Sequence, residues 1–263
     1  MKVAILAGGF GTRLSEETNH IPKPMVEIGG KPILWHIMNI YSQQGFNDFI
    51  IMLGYKGYVI KEYFANYFLH QSDISIDLKN NKMEILNSKS EPWKVTLIDT
   101  GLNSMTGHRV KRIEKFIDED QFMLTYGDGV SDVDLNKLID FHNKQNSIVT
   151  LTAVQPQGRF GSLNINQNNT IVNFNEKPKG DNMWVNGGFF VVDTNVFDHI
   201  NNDSQCNWED DVLTPLANKN LLSAYKHDGF WQCMDTLREK VLLNKMLEEN
   251  NAPWLEIGDR YND

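Results

Sequence analysis

The chain has 263 residues and a formal net charge of −9 at pH 7, so it is long enough for a substantial core and unlike a general polyanion binder, which carries a basic face. No apolar stretch approaches the roughly 20 residues of a membrane helix, and no basic and apolar leader precedes the first strand. Its two cysteines are too few for a disulfide framework, and together these features predict a cytoplasmic protein with neither a membrane nor a nucleic-acid partner.

The first half of the chain alternates predicted strands with predicted helices. A helix opens at Pro32, because Leu34, Ile37, Met38 and Tyr41 recur at helical spacing on one face. Including this one, the predicted helices are 32–44, 59–69, 107–117 and 135–145. The first strand starts at residue 3, and the other predicted strands are 48–53, 122–126, 149–154 and a hairpin of 73–78 with 83–86.

The second half is richer in strands. A hairpin is predicted at 162–165 and 170–175, followed by strands at 185–193 and 222–226 and helices at 209–219 and 236–249. This order predicts an α/β fold, a doubly wound and mostly parallel Rossmann-like sheet with a small inserted β-hairpin region. Ligands of such sheets collect at the carboxyl ends of the strands.

The loop after the first strand is rich in glycine. It follows the buried run that starts at Val3 and reads Leu6-Ala7-Gly8-Gly9-Phe10-Gly11-Thr12-Arg13-Leu14. Glycines let the backbone approach an anion closely with its N–H groups. Arg13 and Lys23, the latter between Pro22 and Pro24, add positive charge that would neutralise phosphate. The loop therefore predicts a nucleoside triphosphate site.

Two other nucleotide motifs are excluded by spacing. A P-loop requires lysine directly after its last glycine, but Thr12 follows Gly11. The dinucleotide fingerprint requires a third glycine where Leu14 stands, which also weighs against a nicotinamide-dependent oxidoreductase. An ordinary glycine-rich turn of an α/β protein remains an alternative for this loop alone.

Motifs along nearly the whole chain resemble those of the sugar-phosphate nucleotidylyltransferases, the nucleoside diphosphate-sugar pyrophosphorylases. Besides the glycine loop, they are Lys23-Pro24-Met25, Gly54-Tyr55-Lys56-Gly57, Asp99-Thr100-Gly101, Tyr126-Gly127-Asp128-Gly129, Glu176-Lys177-Pro178, Asn186-Gly187-Gly188-Phe189-Phe190 and Trp231-Gln232-Cys233-Met234-Asp235-Thr236. The resemblance implies a nucleotidyltransferase sheet of the glycosyltransferase-A-like type. It further implies one domain over 1–263, in which 1–155 mainly bind the nucleotide and 156–263 mainly bind the sugar and supply a C-terminal helix.

The pattern is most similar to the family members that use CTP and glucose 1-phosphate. It implies cytidylyl transfer to α-D-glucose 1-phosphate, release of pyrophosphate, a homo-oligomer, and supply of dideoxysugars for surface polysaccharide. Two alternatives stay open. One is uridylyl or thymidylyl transfer to a hexose 1-phosphate, and the other is a regulatory subunit that binds substrates without catalysis.

The resemblance also implies roles for individual residues. Lys23 would lie near the α-phosphate and Arg13 toward the leaving pyrophosphate, as the two candidate catalytic residues. Ser104 and Arg109 would contact the nucleotide base, although Arg109 could instead be an exposed residue in the first turn of the helix at 107–117. The other candidate substrate-binding residues are Leu6, Ala7, Gly8, Gly9, Phe10, Gly11, Thr12, Gly127, Gly161, Glu176, Lys177 and Asn186.

On the sugar side, Lys177 would bind the sugar phosphate, while Gly161, Glu176 and Asn186 would face the glucose hydroxyls. Without the motif, Glu176 and Lys177 would be an ordinary surface pair.

Asp128 and Asp235 are the candidate metal ligands, because each stands in a family motif that holds a metal-binding aspartate. The implied cofactor is Mg²⁺, which binds to one or two carboxylates together with water and substrate phosphate. Asp128 could instead cap a turn between two glycines, and Asp235 could be the N-cap of the last helix. The seven histidines form no metal-ligand pattern, and His36 is expected to have a structural role.

Overall fold

The computed structural model describes residues 1–156, 158, 162–175 and 183–257. In chain order its strands are β1 Val3–Ala7, β2 Glu27–Ile28, β3 Lys31–Pro32, β4 Asp48–Leu53, β5 Ser72–Asp77, β6 Lys82–Ser88, β7 Lys94–Asp99, β8 Gln121–Tyr126, β9 Gly129–Ser131, β10 Val149–Val154, β11 Ser162–Ile165, β12 Ile171–Asn175, β13 Val185–Asp193, β14 Leu222–His227 and β15 Trp231–Cys233.

The α-helices are α1 Ser15–Thr18, α2 Ile33–Ser42, α3 Gly57–His70, α4 Thr106–Lys111, α5 Leu135–His142, α6 Thr214–Asn218 and α7 Leu237–Glu248. Short 3₁₀ turns are Thr12–Leu14, Lys23–Met25, Glu114–Phe116, Thr194–His199 and Pro253–Leu255, and a π-helix spans Trp208–Leu213. No helix in the described part of the chain has both the length and the apolar character needed to cross a membrane.

A seven-stranded sheet forms the centre of the fold, in the order β14-β10-β13-β8-β1-β4-β7. Neighbouring strands are parallel except for β13, which runs antiparallel to both β8 and β10. The predicted α/β, mostly parallel sheet is therefore confirmed. Because β1 lies between β8 and β4, the loops that follow these three parallel strands meet at one edge of the sheet.

Both faces of the sheet are buried. Along β1, Val3 and Ile5 pack with helix α2 on one face, whereas Ala4 and Leu6 pack on the other face with Val110 of α4. This alternation follows from the period of a strand, in which successive side chains point to opposite faces. Elements cover both faces, which is what a doubly wound fold requires.

Most predicted elements are confirmed, several to the residue, but two helices are wrong in part. The predicted helix at 107–117 ends at Lys111, where the N–H of Ile113 bonds to the oxygen of Val110 and tightens the turn. The predicted helix at 209–219 begins as the π-helix and becomes α-helical only at Thr214. Pro215 has no N–H to offer to the preceding turn, which fits the change of helix type there.

Five strands of the structure are absent from the predicted set. They are the edge strand β7, the two-residue strands β2 and β3, which pair with each other, and the short strands β9 and β15, which also pair with each other. The inserted hairpin is confirmed as β11 paired with β12.

His36 on α2 is a buried core histidine in the neutral form. Its Nε2 lies 2.9 Å from the carbonyl oxygen of Ile28, and its Nδ1 accepts a hydrogen bond from Trp254 Nε1 at 3.2 Å. Burial opposes a charge on the ring, and the nearby charge of Lys31 opposes it further, so the pKa of His36 falls from 6.5 to about 4.

This burial predicts a loss of stability in mild acid. Between pH 6.5 and about 4 the unfolded chain protonates His36 while the folded protein does not, so unfolding takes up a proton. We expect this residue to lower the free energy of unfolding by about 2 kcal/mol at pH 5 relative to pH 7. Urea unfolding of the wild type and of His36→Gln at both pH values isolates its share. Equal pH dependence in the two proteins would contradict the prediction.

Candidate functional site

The loop after β1 is shaped by glycine. Gly11 has a φ of 66°, in the left-handed region, and it precedes the 3₁₀ turn that carries Arg13. A Cβ on Gly11 would also lie 2.9 Å from Thr18 Cγ2 and 3.0 Å from Lys23 Cβ. Only glycine combines this backbone conformation with so close an approach, so the loop can turn tightly over the residues that follow it.

The guanidinium of Arg109 clamps this loop to its neighbours. Its Nη2 donates to the carbonyl oxygens of Gly8 at 3.1 Å and Leu102 at 3.2 Å. Its Nη1 donates to the oxygens of Leu53 at 3.1 Å and Gly101 at 2.8 Å, as well as to the hydroxyl of Thr100. The loops after β1, β4 and β7 are thus held by one side chain. A Cβ on Gly8 would overlap the guanidinium, so any larger residue there would displace Arg109 from these bonds.

The environment of Arg109 differs from both sequence interpretations. Its side chain belongs to a residue only 4% exposed, so the alternative of an exposed first-turn residue is wrong. Both terminal nitrogens donate to protein oxygens, which leaves the nucleotide base no unengaged terminal nitrogen in this arrangement. Ser104, the other predicted base contact, donates to the carbonyl oxygen of Thr100 at 2.6 Å beside the same clamp.

Lys23 lies at the centre of a cluster of opposite charges. Its Nζ lies 2.5 Å from Asp128 Oδ2 and 2.5 Å from Asp235 Oδ1, and Arg13 Nη1 lies 2.6 Å from the other oxygen of Asp235. Burial alone would lower the pKa of Lys23, but the two carboxylates raise it above the ordinary value. The ammonium therefore stays charged in a site that is largely withdrawn from water.

Two short strands bring the aspartates together. Asp128 directly precedes β9, Asp235 follows β15, and Cys233 pairs with Gly129 in the register of these strands. The N–H of Met234 also donates to the carbonyl oxygen of Asp128 at 2.8 Å. Asp128 and Asp235, which are far apart in the sequence, thus become neighbours through backbone pairing.

Asp235 is held on its other side by helix α7. Thr236 is the N-cap of α7 and forms a capping box with Glu239, so the alternative in which Asp235 is the N-cap is wrong. The carboxylate of Glu239 also accepts the N–H of Asp235 at 2.6 Å. This leaves the Asp235 side chain directed at the two cations rather than at the helix.

The two carboxylates suit a hard divalent cation. Both present oxygens to a single cationic centre, and oxygen donors from two aspartates are the set that Mg²⁺ combines with water and phosphate. Within the described ranges, no cluster of three or more histidine, cysteine or acidic side chains could enclose a metal. A cation at Asp128 and Asp235 would therefore take its other ligands from water and substrate.

The glycine loop, the charged cluster and the segment before α4 border one cleft of about 400 Å³. The cleft collects most of the predicted site residues, namely Leu6, Ala7, Gly8, Gly9, Phe10, Gly11, Thr12, Arg13, Lys23, Ser104, Arg109, Gly127 and Asp128. Asp235 is joined to the cleft by its bonds to Arg13 and Lys23. Such a cleft at the carboxyl ends of parallel strands has the volume and the charge for a nucleotide.

Asn186 lies on β13, on the other side of β8 from the glycine loop. It is exposed, and its Nδ2 donates to the hydroxyl of Tyr126 at 3.0 Å. Gly161, Glu176 and Lys177, the other predicted sugar-side residues, lie outside the described residues.

Tyr126 and Thr106 border the cleft but were not selected from the sequence. A signal for Tyr126 was available, because it ends β8 directly before Gly127 and Asp128, where a strand delivers its last side chain to the ligand edge. Thr106 has no comparable signal in the sequence, because the predicted helix begins at residue 107 and Thr106 falls just outside it.

Comparison with known proteins extends these observations. The sequence profile of the family described as nucleotidyl transferase matches residues 2–259. The glucose-1-phosphate cytidylyltransferase of Salmonella typhi is 57% identical over 255 residues, which is 97% of this chain and 98% of that protein. The probable glucose-1-phosphate cytidylyltransferase of Bacillus subtilis is 41% identical over 254 residues, covering 97% of this chain and 99% of its own.

A solved structure, that of HddC from Yersinia pseudotuberculosis, superimposes with a TM-score of 0.66 at 25% identity. The match covers 94% of this chain and 99% of that one. The arrangement of strands and helices is thus similar to that of a known protein along almost the whole chain.

Proposed function

The chain belongs to the nucleotidyl transferase family, and from that premise we propose that it transfers the cytidylyl group of CTP to α-D-glucose 1-phosphate. The products are CDP-glucose and pyrophosphate. The observation that carries the proposal is the ammonium of Lys23, held at 2.5 Å from both aspartates beside the glycine loop. Its positive charge offsets the repulsion between the two anionic phosphates that must react. The choice of CTP and glucose follows the 57% identical relative.

The reaction is an in-line displacement at the α-phosphorus of CTP. A phosphate oxygen of glucose 1-phosphate forms the new P–O bond while the bond to the bridging oxygen breaks, and pyrophosphate carries away that electron pair. The nucleophile is already anionic at neutral pH, so no covalent enzyme intermediate and no general base are needed. The protein must align two anions and offset their repulsion.

Arg13 and Lys23 supply the fixed positive charge. Lys23, rigidly placed by its two carboxylate partners, would be directed at the α-phosphate on which negative charge accumulates. Arg13 is exposed at the rim, where its forked guanidinium can contact the pyrophosphate as it leaves. The N–H groups of Gly8, Gly9 and Gly11 would cradle the triphosphate.

Mg²⁺ held by Asp128 and Asp235 would supply further charge stabilisation on the phosphate oxygens when bound. Asp128 and Asp235 would be the protein ligands of the metal, and Lys23 would remain beside them as a fixed positive charge.

Substrate recognition is proposed to divide along the chain, with 1–155 contacting the nucleotide and 156–263 the sugar. Ser104 and Arg109 serve the nucleotide by shaping the loops around it, since the clamp on Gly8 sets the backbone that faces the base and ribose. Lys177 would bind the sugar phosphate, and Gly161, Glu176 and Asn186 would face the hexose hydroxyls. We also propose that the protein is a cytoplasmic homo-oligomer.

Pyrophosphate release with glucose 1-phosphate and each of CTP, UTP, dTTP and ATP tests this function. We expect CTP to give a kcat/KM at least about a hundredfold above that of UTP, because a site that hydrogen-bonds one base edge leaves its polar groups unpaired with another. If the rates with UTP or dTTP were comparable to the rate with CTP, the proposed activity would change from cytidylyl transfer to uridylyl or thymidylyl transfer. Binding of CTP without pyrophosphate release would support the non-catalytic subunit.

A further inference from the structure

Glu209 connects the nucleotide side of the site, at helix α4, with the proposed sugar side, at strand β13. It lies half-buried on the π-helix, where its Oε1 accepts a hydrogen bond from the Tyr126 hydroxyl at 2.6 Å. Its Oε2 accepts from Thr106 Oγ1 at 3.0 Å. The Tyr126 hydroxyl in turn accepts from Asn186 Nδ2 at 3.0 Å. A single carboxylate therefore joins helix α4 to strand β13 through Tyr126 at the end of β8.

This network has a fixed direction of hydrogen-bond donation. An ionised carboxylate only accepts, so both hydroxyls must donate to Glu209. Burial, and then the charge of Glu209, raise the pKa of Tyr126, so its phenol keeps the proton that it donates. The phenol oxygen is left as an acceptor, and Asn186 turns its Nδ2 toward it while its Oδ1 accepts the N–H of Gly188 at 2.9 Å. The exposed amide of Asn186 is thereby held in one orientation.

The other arm of Glu209 is anchored to the nucleotide side. Thr106 Oγ1 accepts the N–H of Trp208 at 2.9 Å while it donates to Glu209, so two of its hydrogen bonds hold it to the π-helix. The backbone of α4 is also fastened to this segment, since the N–H of His108 donates to the oxygen of Cys206 at 3.1 Å. This helix carries Arg109, the clamp on the glycine loop. The carboxylate thus has a rigid base from which to orient Tyr126.

We propose that Glu209 is a positioning residue for the sugar half of the site, acting through Tyr126 on the amide of Asn186. The inference rests on the proposed function, in which Asn186 faces the hexose. In the sheet order, Asn186 on β13 lies across β8 from the nucleotide loop of β1, so a disordered amide would affect the sugar and leave the nucleotide contacts in place. Glu209 itself does not contact substrate.

Comparing the binding of CDP and CDP-glucose reports the sugar contribution, because the two ligands share the nucleotide and differ by the hexose and by the one phosphate charge that its ester removes. That charge difference is the same for every variant, so it cancels when a variant is compared with the wild type. Titration calorimetry gives a Kd for each, and the ratio of the CDP value to the CDP-glucose value measures what the sugar adds. We expect Glu209→Ala to reduce this ratio about tenfold, as expected for a lost hydrogen-bond network, while the Kd for CDP changes less than about threefold. Asp210→Asn removes a charge from the neighbouring exposed position and serves as the matched control, with an unchanged ratio.

Two further variants separate positioning from simple loss of packing. Glu209→Gln retains an oxygen that can accept from Tyr126, so the ratio should stay within about threefold of the wild type. Tyr126→Phe keeps the ring and removes the link, so it should lower the ratio, and combining it with Glu209→Ala should add little further loss. If Glu209→Ala weakened the binding of CDP and CDP-glucose equally, the ratio of their Kd values would not change and the inference would be wrong. The inference would also be wrong if Glu209→Ala and Glu209→Gln gave the same ratio. A wild type that released no pyrophosphate from CTP and glucose 1-phosphate would instead overturn the proposed function.

Discussion

Replacing Lys23 with alanine is expected to lower kcat by about a hundredfold or more, which corresponds to about 3 kcal/mol of lost transition-state stabilisation. The ammonium is largely buried, is held by two carboxylates at 2.5 Å each, and is directed at the cleft. No other described cation bonds to both aspartates. The alanine variant would therefore have only uncharged water where the ammonium now lies. Pyrophosphate release with saturating CTP and glucose 1-phosphate measures the effect.

The fold should survive this change. Asp128 keeps access to solvent and Asp235 keeps its bond to Arg13, so neither carboxylate is left as an isolated buried charge. Lys94→Ala removes an ion-paired lysine from the surface far from the cleft and should leave kcat unchanged. If a folded Lys23→Ala protein turned over at the wild-type rate, Lys23 would have no part in the mechanism.

Activity should disappear with a chelator and return with Mg²⁺, and Asp128→Asn and Asp235→Asn should each shift the requirement for the metal. Each substitution removes one anionic oxygen from a site that offers two carboxylates, so we expect the Mg²⁺ concentration for half-maximal rate to rise about tenfold or more. Rates measured across a Mg²⁺ titration give this value for each variant.

Asp140→Asn provides the control for a change of charge, because Asp140 is exposed on α5 and away from the cleft. Its Mg²⁺ requirement should match that of the wild type. A double variant of Asp128 and Asp235 that kept the wild-type Mg²⁺ response would remove both residues from the metal site. Full activity of the wild type in the presence of chelator would show that the reaction needs no metal.

Local structure was readable wherever a residue's partners lie close to it in sequence. The apolar run of β1 and the stripe of Leu34, Ile37, Met38 and Tyr41 each bury a whole face, so their period alone predicts strand or helix. The glycine loop was readable for the same reason, because a left-handed turn at Gly11 is a property of that residue. The helices predicted at 107–117 and 209–219 were wrong in part. Their apolar pattern is helical throughout, but packing and Pro215 decide where each segment is α-helical.

The meeting of the charged residues could not be read in the same way. Lys23 and Asp235 are 212 positions apart, and the pairing of β9 with β15 in a separate two-stranded sheet holds Asp235 close to Asp128 and Lys23. Each of these strands has three residues, too short for a period to be visible. That Asp128 and Asp235 were selected at all rested on resemblance to family motifs, since spacing in the chain does not bring them together.

Arg109 and Glu209 show the limit most clearly. An arginine at the start of a helix and a glutamate in an acidic run both look like solvated surface residues, and only the tertiary structure surrounds the first with carbonyl oxygens and the second with hydroxyl donors. By itself, the sequence determined the alternating α/β order, the glycine loop and the nature of the charges around it, because these follow from local period and residue type. The tertiary structure decided which charges meet and which polar groups are satisfied, because sheet order places side chains from distant segments within hydrogen-bond distance of one another.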